Sequence, residues 1–167
     1  MVTGREAQLT KQTGEFLVCS ELCRRGLIST SFNGNVPEFD ILSIDDNFVT
    51  RPIQVKTIRR GNWQFDAERF INISKVGKRP NIKQDVIGLK KLPDENLIYI
   101  FVNLISYGKD EFFIIKSLDL QKIMYTKYKE RLAKFDGIRP KESESTHISI
   151  NQDDIVDYKD NWRIIAK

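Results

Sequence analysis

Asp40, Gln54 and Lys56, with Glu15 upstream, are the residues whose types and spacing could do chemistry in this chain of 167 residues. A carboxylate near a strand end, an oxygen donor on the neighbouring strand and a lysine two positions further on make a site for a hard divalent cation. Such a cation takes oxygen ligands, and the lysine lies close enough to orient or deprotonate a water. That chemistry would be metal-assisted hydrolysis. Asp40 stands fourteen residues before Gln54, in the stretch Gln54-Val55-Lys56.

These residues need elements that bring them together. Residues 5–25 read as a long helix stopped by Gly26, a residue type that favours helix C-termini. At 100° per residue Val18, Cys19, Leu22, Cys23 and Gly26 fall within about 80° of Glu15. Glu15 therefore points into the apolar stripe, which is costly for a carboxylate without a partner. Three candidate strands follow, at 27–33, 38–45 and 49–58, with Asp45-Asp46-Asn47 as a hairpin turn. A hairpin centred near Asn47 sets position 40 opposite position 54. Asp40, Gln54 and Lys56 would then share one sheet face, with Phe39, Ile41, Ile53 and Val55 on the other.

Beyond the hairpin, residues 61–80 read as loop-rich, with a short strand near Trp63–Phe65. Apolar runs at 85–92 and 97–105 flank the turn-like Pro93-Asp94-Glu95-Asn96, and another covers Glu111–Ile115. Residues 118–134 carry a helical pattern, 136–146 a polar loop, and His147–Ile150 a short strand ahead of a tail at Asp153–Ile165. Trp63 and Phe65 suit hairpin packing, with base stacking as the alternative. His147 is the only histidine, so a zinc site or a histidine-based triad has little support. Cys19 and Cys23 are the only cysteines and suit core packing; so close a pair forms no disulfide framework, which points to a reducing cytoplasm.

No apolar run is long enough for a membrane span, and the start of the chain, MVTGREAQLTKQTGE, lacks the apolar stretch of a signal peptide. The net charge is +4, but residues 51–91 hold eleven Lys/Arg against three Asp/Glu. A basic segment of that kind attracts phosphate backbones, while a solvated charged surface is the plainer explanation. Arg59, Arg60, Lys75, Lys78 and Arg79 are the candidate nucleic-acid contacts, chosen on charge.

Residues 14–57 resemble the core of the PD-(D/E)xK nuclease superfamily, on the side of its Holliday-junction-resolvase-like branch. Gly14-Glu15, Pro37-Glu38-Phe39-Asp40 and Gln54-Val55-Lys56-Thr57 carry the likeness. Two positions depart from the family pattern: Phe39 stands where proline precedes the aspartate, and Gln54 replaces an acidic residue. An amide oxygen can ligate a cation but adds no charge.

The resemblance implies an α/β fold, a restriction-endonuclease-like core with a central mixed β-sheet flanked by helices, formed as one domain over residues 1–167. It implies a metal-dependent DNA endonuclease using Mg²⁺ or Mn²⁺. Asp40, Gln54 and the Val55 backbone carbonyl would hold the ion, Glu15 would serve a second ion or act through water, and Lys56 would act on the water. The partner would be DNA, with no membrane, and a homodimer is admitted. The alternative is a catalytically inactive module on the same fold that binds nucleic acid or protein.

Overall fold

The computed structural model describes residues 4–32 and 38–165. The backbone divides into two compact units, one comprising residues 1–63, 96–117 and 151–167, the other residues 64–95 and 118–150.

The first unit opens with helix α1, Gly4–Arg24. Its end is fixed by Gly26, whose φ of 82° is readily available only to glycine. The Gly26 N–H donates to Cys23 O at 3.0 Å and the Leu27 N–H to Leu22 O at 3.1 Å, a Schellman closure. Strands β1 (Ile28–Ser31), β2 (Ile41–Ile44) and β3 (Thr50–Ile58) run antiparallel in turn. The β2–β3 turn is held by Asp45, whose carboxylate accepts from Asn47 N at 2.9 Å and Val49 N at 3.0 Å. The Val49 bond first, then the hydrogen bond from Arg51, and more weakly that from Asn47, hold its carboxyl below the usual aspartate range.

Two later strands complete this sheet. The strand Ile98–Asn103 pairs parallel to β3, and Glu111–Lys116 pairs antiparallel to Ile98–Asn103. The result is a mixed five-stranded sheet and an α/β fold. Helix α1 covers one face, where Val18 and Leu22 pack with Ile41, Ile53, Val55, Ile98 and Ile100. On the other face Trp63 meets Phe101 and Phe113 edge-on, at 5.1 and 5.9 Å between ring centres. Trp63 is therefore core, not a platform for bases, and Phe65 is also buried. Along α1, Cys19 is half-buried and packs against the core, whereas Cys23 is exposed, which corrects the expectation for Cys23.

The second unit holds β4 (Trp63–Asp66), β5 (Ile71–Val76), β6 (Lys83–Leu89), helix α2 (Ser117–Ala133) and the strand His147–Ile150. With β4, β5 and β6 so numbered, the sheet strands above are β7 and β8, and His147–Ile150 is β9. β4 pairs with β9 and β5 with β6. The loop-rich reading of residues 61–80 is thus corrected, since β5 lies within it. Gln84 organises this unit's polar interior. It is 2% exposed, its amide N–H₂ donates to the carbonyls of Ser143 and Ser145, and its oxygen accepts from the Tyr128 hydroxyl at 2.6 Å.

No helix among the described residues is long and apolar enough to cross a membrane.

Candidate metal and nucleic-acid site

The site forms where the ladder between β2 and β3 ends. Ile41 is the register partner of Ile53, yet the N–H of Asp40 also donates to Ile53 O, at 2.8 Å. Two residues thus face one, the arrangement of a β-bulge, which re-aims a side chain and ends pairing. One-for-one pairing places Asp40 opposite Gln54, and the two side chains do meet, while the Asp40 backbone shares Ile53 O with its neighbour. Just ahead, Glu38 adopts a φ of 78°, a left-handed conformation rare for a residue with a side chain. Phe39 is anchored edge-on against Phe32 at 5.4 Å. Pro37 lies outside the described residues.

Where β2 leaves, the Asp40 carboxylate takes its place. One carboxylate oxygen accepts the N–H of Val55 at 2.9 Å and an N–H of the Gln54 side chain. A strand residue directs its N–H and C=O to the same side. The Val55 carbonyl therefore opens towards the gap that β2 has vacated.

Helix α1 supplies the rest. Gly14 lies directly on β3: a Cβ there would come within 1.8 Å of Thr57 Oγ1. That close approach sets Glu15 beside the strand end. The side chains of Glu15 and Asp40 are 12% and 10% exposed, and Lys11, one turn earlier on α1, spans both. Its Nζ lies 3.5 Å from Glu15 Oε1 and 3.3 Å from Asp40 Oδ1. Burial, then the charge of Asp40, raise the Glu15 carboxyl above its ordinary value, against the opposing pull of Lys11. Partial burial lowers the Lys11 ammonium, but the two carboxylates outweigh it and the net shift is upward. Cys19 is pushed up to about 11, by burial first and then by Cys23 and Glu15, so its thiol stays protonated at neutral pH.

The structure thus gathers Asp40, Gln54, Val55 and Glu15, with Lys11 as a member that sequence reasoning missed. Its signal was the spacing of four from Glu15, which sets both on one helix face. Lys56 follows Gln54 by two on β3, opposite Phe101 of β7. Among the described residues no three His, Cys, Asp or Glu form a group that could hold a metal ion. The available donors are two carboxylates, the Gln54 amide and the Val55 carbonyl. All are hard oxygens, which suits Mg²⁺ or Mn²⁺ over softer metals. In the present arrangement Gln54 offers Asp40 its N–H, so its oxygen ligates only after the amide turns.

Of the candidate nucleic-acid contacts, Arg59 and Arg60 follow the end of β3 in the same unit. They line a crevice of about 480 Å³ with Asn62, Asn103, Asn151 and Gln152. The Arg59 guanidinium donates to Thr10 Oγ1 at 3.0 Å, which orients it. Lys75, Lys78 and Arg79 belong to the second unit. There Lys75 pairs with Glu68 at 2.9 Å, and Arg79 donates to Glu144.

No protein family's sequence model matches this chain, and no curated protein does. Among solved structures it is similar to the bacterial homing endonuclease I-Ssp6803I, with 11% identity, over 95% of this chain and 91% of that one, at a TM-score of 0.47. The likeness is loose and concerns the fold; it assigns no chemistry to this chain.

Proposed function

We propose that this chain is a metal-dependent DNA endonuclease that hydrolyses phosphodiester bonds at the end of the β2–β3 ladder. One observation carries the reading: the Asp40 carboxylate, the Gln54 amide and the Glu15 carboxylate meet beside the outward-facing Val55 carbonyl. Asp40, Gln54 and Val55 would hold Mg²⁺ or Mn²⁺, with Glu15 serving a second ion or acting through water. When bound, the ion supplies positive charge to the scissile phosphate and lowers the pKa of a water. Lys56 orients that water or takes its proton. The crevice with Arg59 and Arg60 receives the phosphate backbone, because arginine forks match phosphate oxygens and the carboxylate partners of Lys75 and Arg79 already offset their charge.

Cleavage of plasmid, linear, branched and single-stranded DNA with Mg²⁺ or Mn²⁺ tests the reading. Asp40→Asn and Lys56→Ala should each lower the rate by about a hundredfold or more while the fold survives. Full activity in either variant would rule the site out. DNA affinity should fall steeply with salt, and neutralising Arg59 with Arg60 should make that slope shallower.

The absence of a third acidic ligand among the described residues favours a second reading, a non-catalytic module on the same fold that binds nucleic acid or protein. It predicts no divalent-ion binding in a calorimetric titration.

A further inference from the structure

We infer that Lys11 is the resident counter-ion of the Glu15–Asp40 pair and that a divalent cation enters the site by displacing it. This rests on the metal reading above. Two carboxylates, each about nine-tenths covered, sit close enough for Asp40's charge to act on Glu15, and the Lys11 ammonium touches both. As a helix-surface pair alone Lys11 and Glu15 are in the weaker order, since glutamate placed before lysine is the better arrangement at this spacing. The bond to Asp40, on another element, is what gives the ammonium its position.

An ammonium and a divalent cation cannot share that position, because like charges a few ångströms apart repel strongly. Lys11 is built to leave. Its side chain is 55% exposed on a flexible four-carbon stem, whereas the carboxylates are fixed, Asp40 by Val55 N–H and Glu15 by the Gly14 contact with β3. Metal affinity in the native protein is therefore reduced by the loss of two ion pairs. The same lysine keeps the metal-free site from holding two close, uncompensated charges.

One substitution should then have opposite effects on two measurements. Lys11→Met keeps the stem and removes the charge. In metal-free protein its melting temperature should fall, while calorimetry should show Mn²⁺ binding about tenfold tighter, the scale of two partly screened ion pairs. Lys11→Arg, which retains the charge, should leave both near the native values. Native protein that binds Mn²⁺ with no gain in Lys11→Met overturns the displacement alone. No Mn²⁺ binding by either protein overturns the metal reading and the displacement with it. An unchanged melting temperature in metal-free Lys11→Met overturns the counter-ion role.

Discussion

The Gln84 network and the Glu15–Asp40 cluster solve the same problem, polar groups taken out of water, in opposite ways. Around Gln84 the side-chain amide is satisfied by neutral partners. The amide donates to two backbone carbonyls and accepts from Tyr128, and Arg139 donates to the Ser145 carbonyl as well. Such a saturated network fixes one arrangement of β6, α2 and the chain at 143–145. At the end of the β2–β3 ladder the groups are charged, and the compensating cation is the most exposed member of the set. Saturated neutral bonds hold a fold, whereas carboxylates balanced by a movable ammonium leave a position that something else can occupy.

The comparison predicts where each kind of damage shows. Gln84→Ala removes the amide donor of the buried Ser143 carbonyl and the 2.6 Å acceptor of the Tyr128 hydroxyl, and should cost about 2–4 kcal/mol in denaturant unfolding. Mn²⁺ affinity should be untouched, and any change in it would break the separation between the two regions. Gly14→Ala drives a methyl into Thr57 and should cost about 1–3 kcal/mol. Because the same contact sets Glu15, this variant should also weaken Mn²⁺ binding, unlike Gln84→Ala.

Smaller effects sharpen the charged side. Gln54→Glu is nearly isosteric but exchanges an N–H donor to Asp40 for a third negative charge. It should lower the stability of metal-free protein and tighten Mn²⁺ binding by about tenfold. The gain should grow with pH as the introduced carboxylate ionises. Calorimetry at two pH values checks it; equal affinity at both would remove Gln54 from the ion.

The smallest effect is Glu15→Gln in metal-free protein. Folding raises the Glu15 pKa above its ordinary 4.5, so the folded state binds this proton more tightly than the unfolded chain does. The glutamate's contribution to stability therefore falls as pH rises through the window from 4.5 up to the raised value. Glu15→Gln should melt slightly higher than the native protein near pH 7, and the difference should vanish below pH 4.5. A difference that persists in acid would make it a packing effect.

Much of the site unit was legible in the sequence, for definable reasons. A turn centred on Asn47 dictates the pairing Ile41–Ile53, because a slip of one residue would put the two isoleucines on opposite faces. Gly26 announced the helix end through its backbone freedom. What escaped is what strict alternation cannot encode. The bulge at Asp40 breaks the period of two, so alternation alone gives no sign that its carboxylate reaches the Val55 N–H. Lys11 looks like any polar helix residue until a carboxylate from a distant strand arrives beside it. In the second unit, Ile71-Asn72-Ile73-Ser74 alternates as a strand should, but Gly61, Gly77 and Pro80 around it carry the stronger loop signal.

The bond from Val55 N–H to Asp40 bears on how an inert reference protein should be made. Truncating Asp40 to alanine would remove a cation ligand and also orphan a main-chain donor of β3, at a cost of about 1–3 kcal/mol. A blank prepared that way would be a loosened protein as well as a silent one, and lost DNA binding could be blamed on either. Asparagine keeps an oxygen for Val55 N–H, and the Gln54 amide can turn its own oxygen towards the new N–H₂. Only the charge is then missing, so any difference from the native protein reports on that charge.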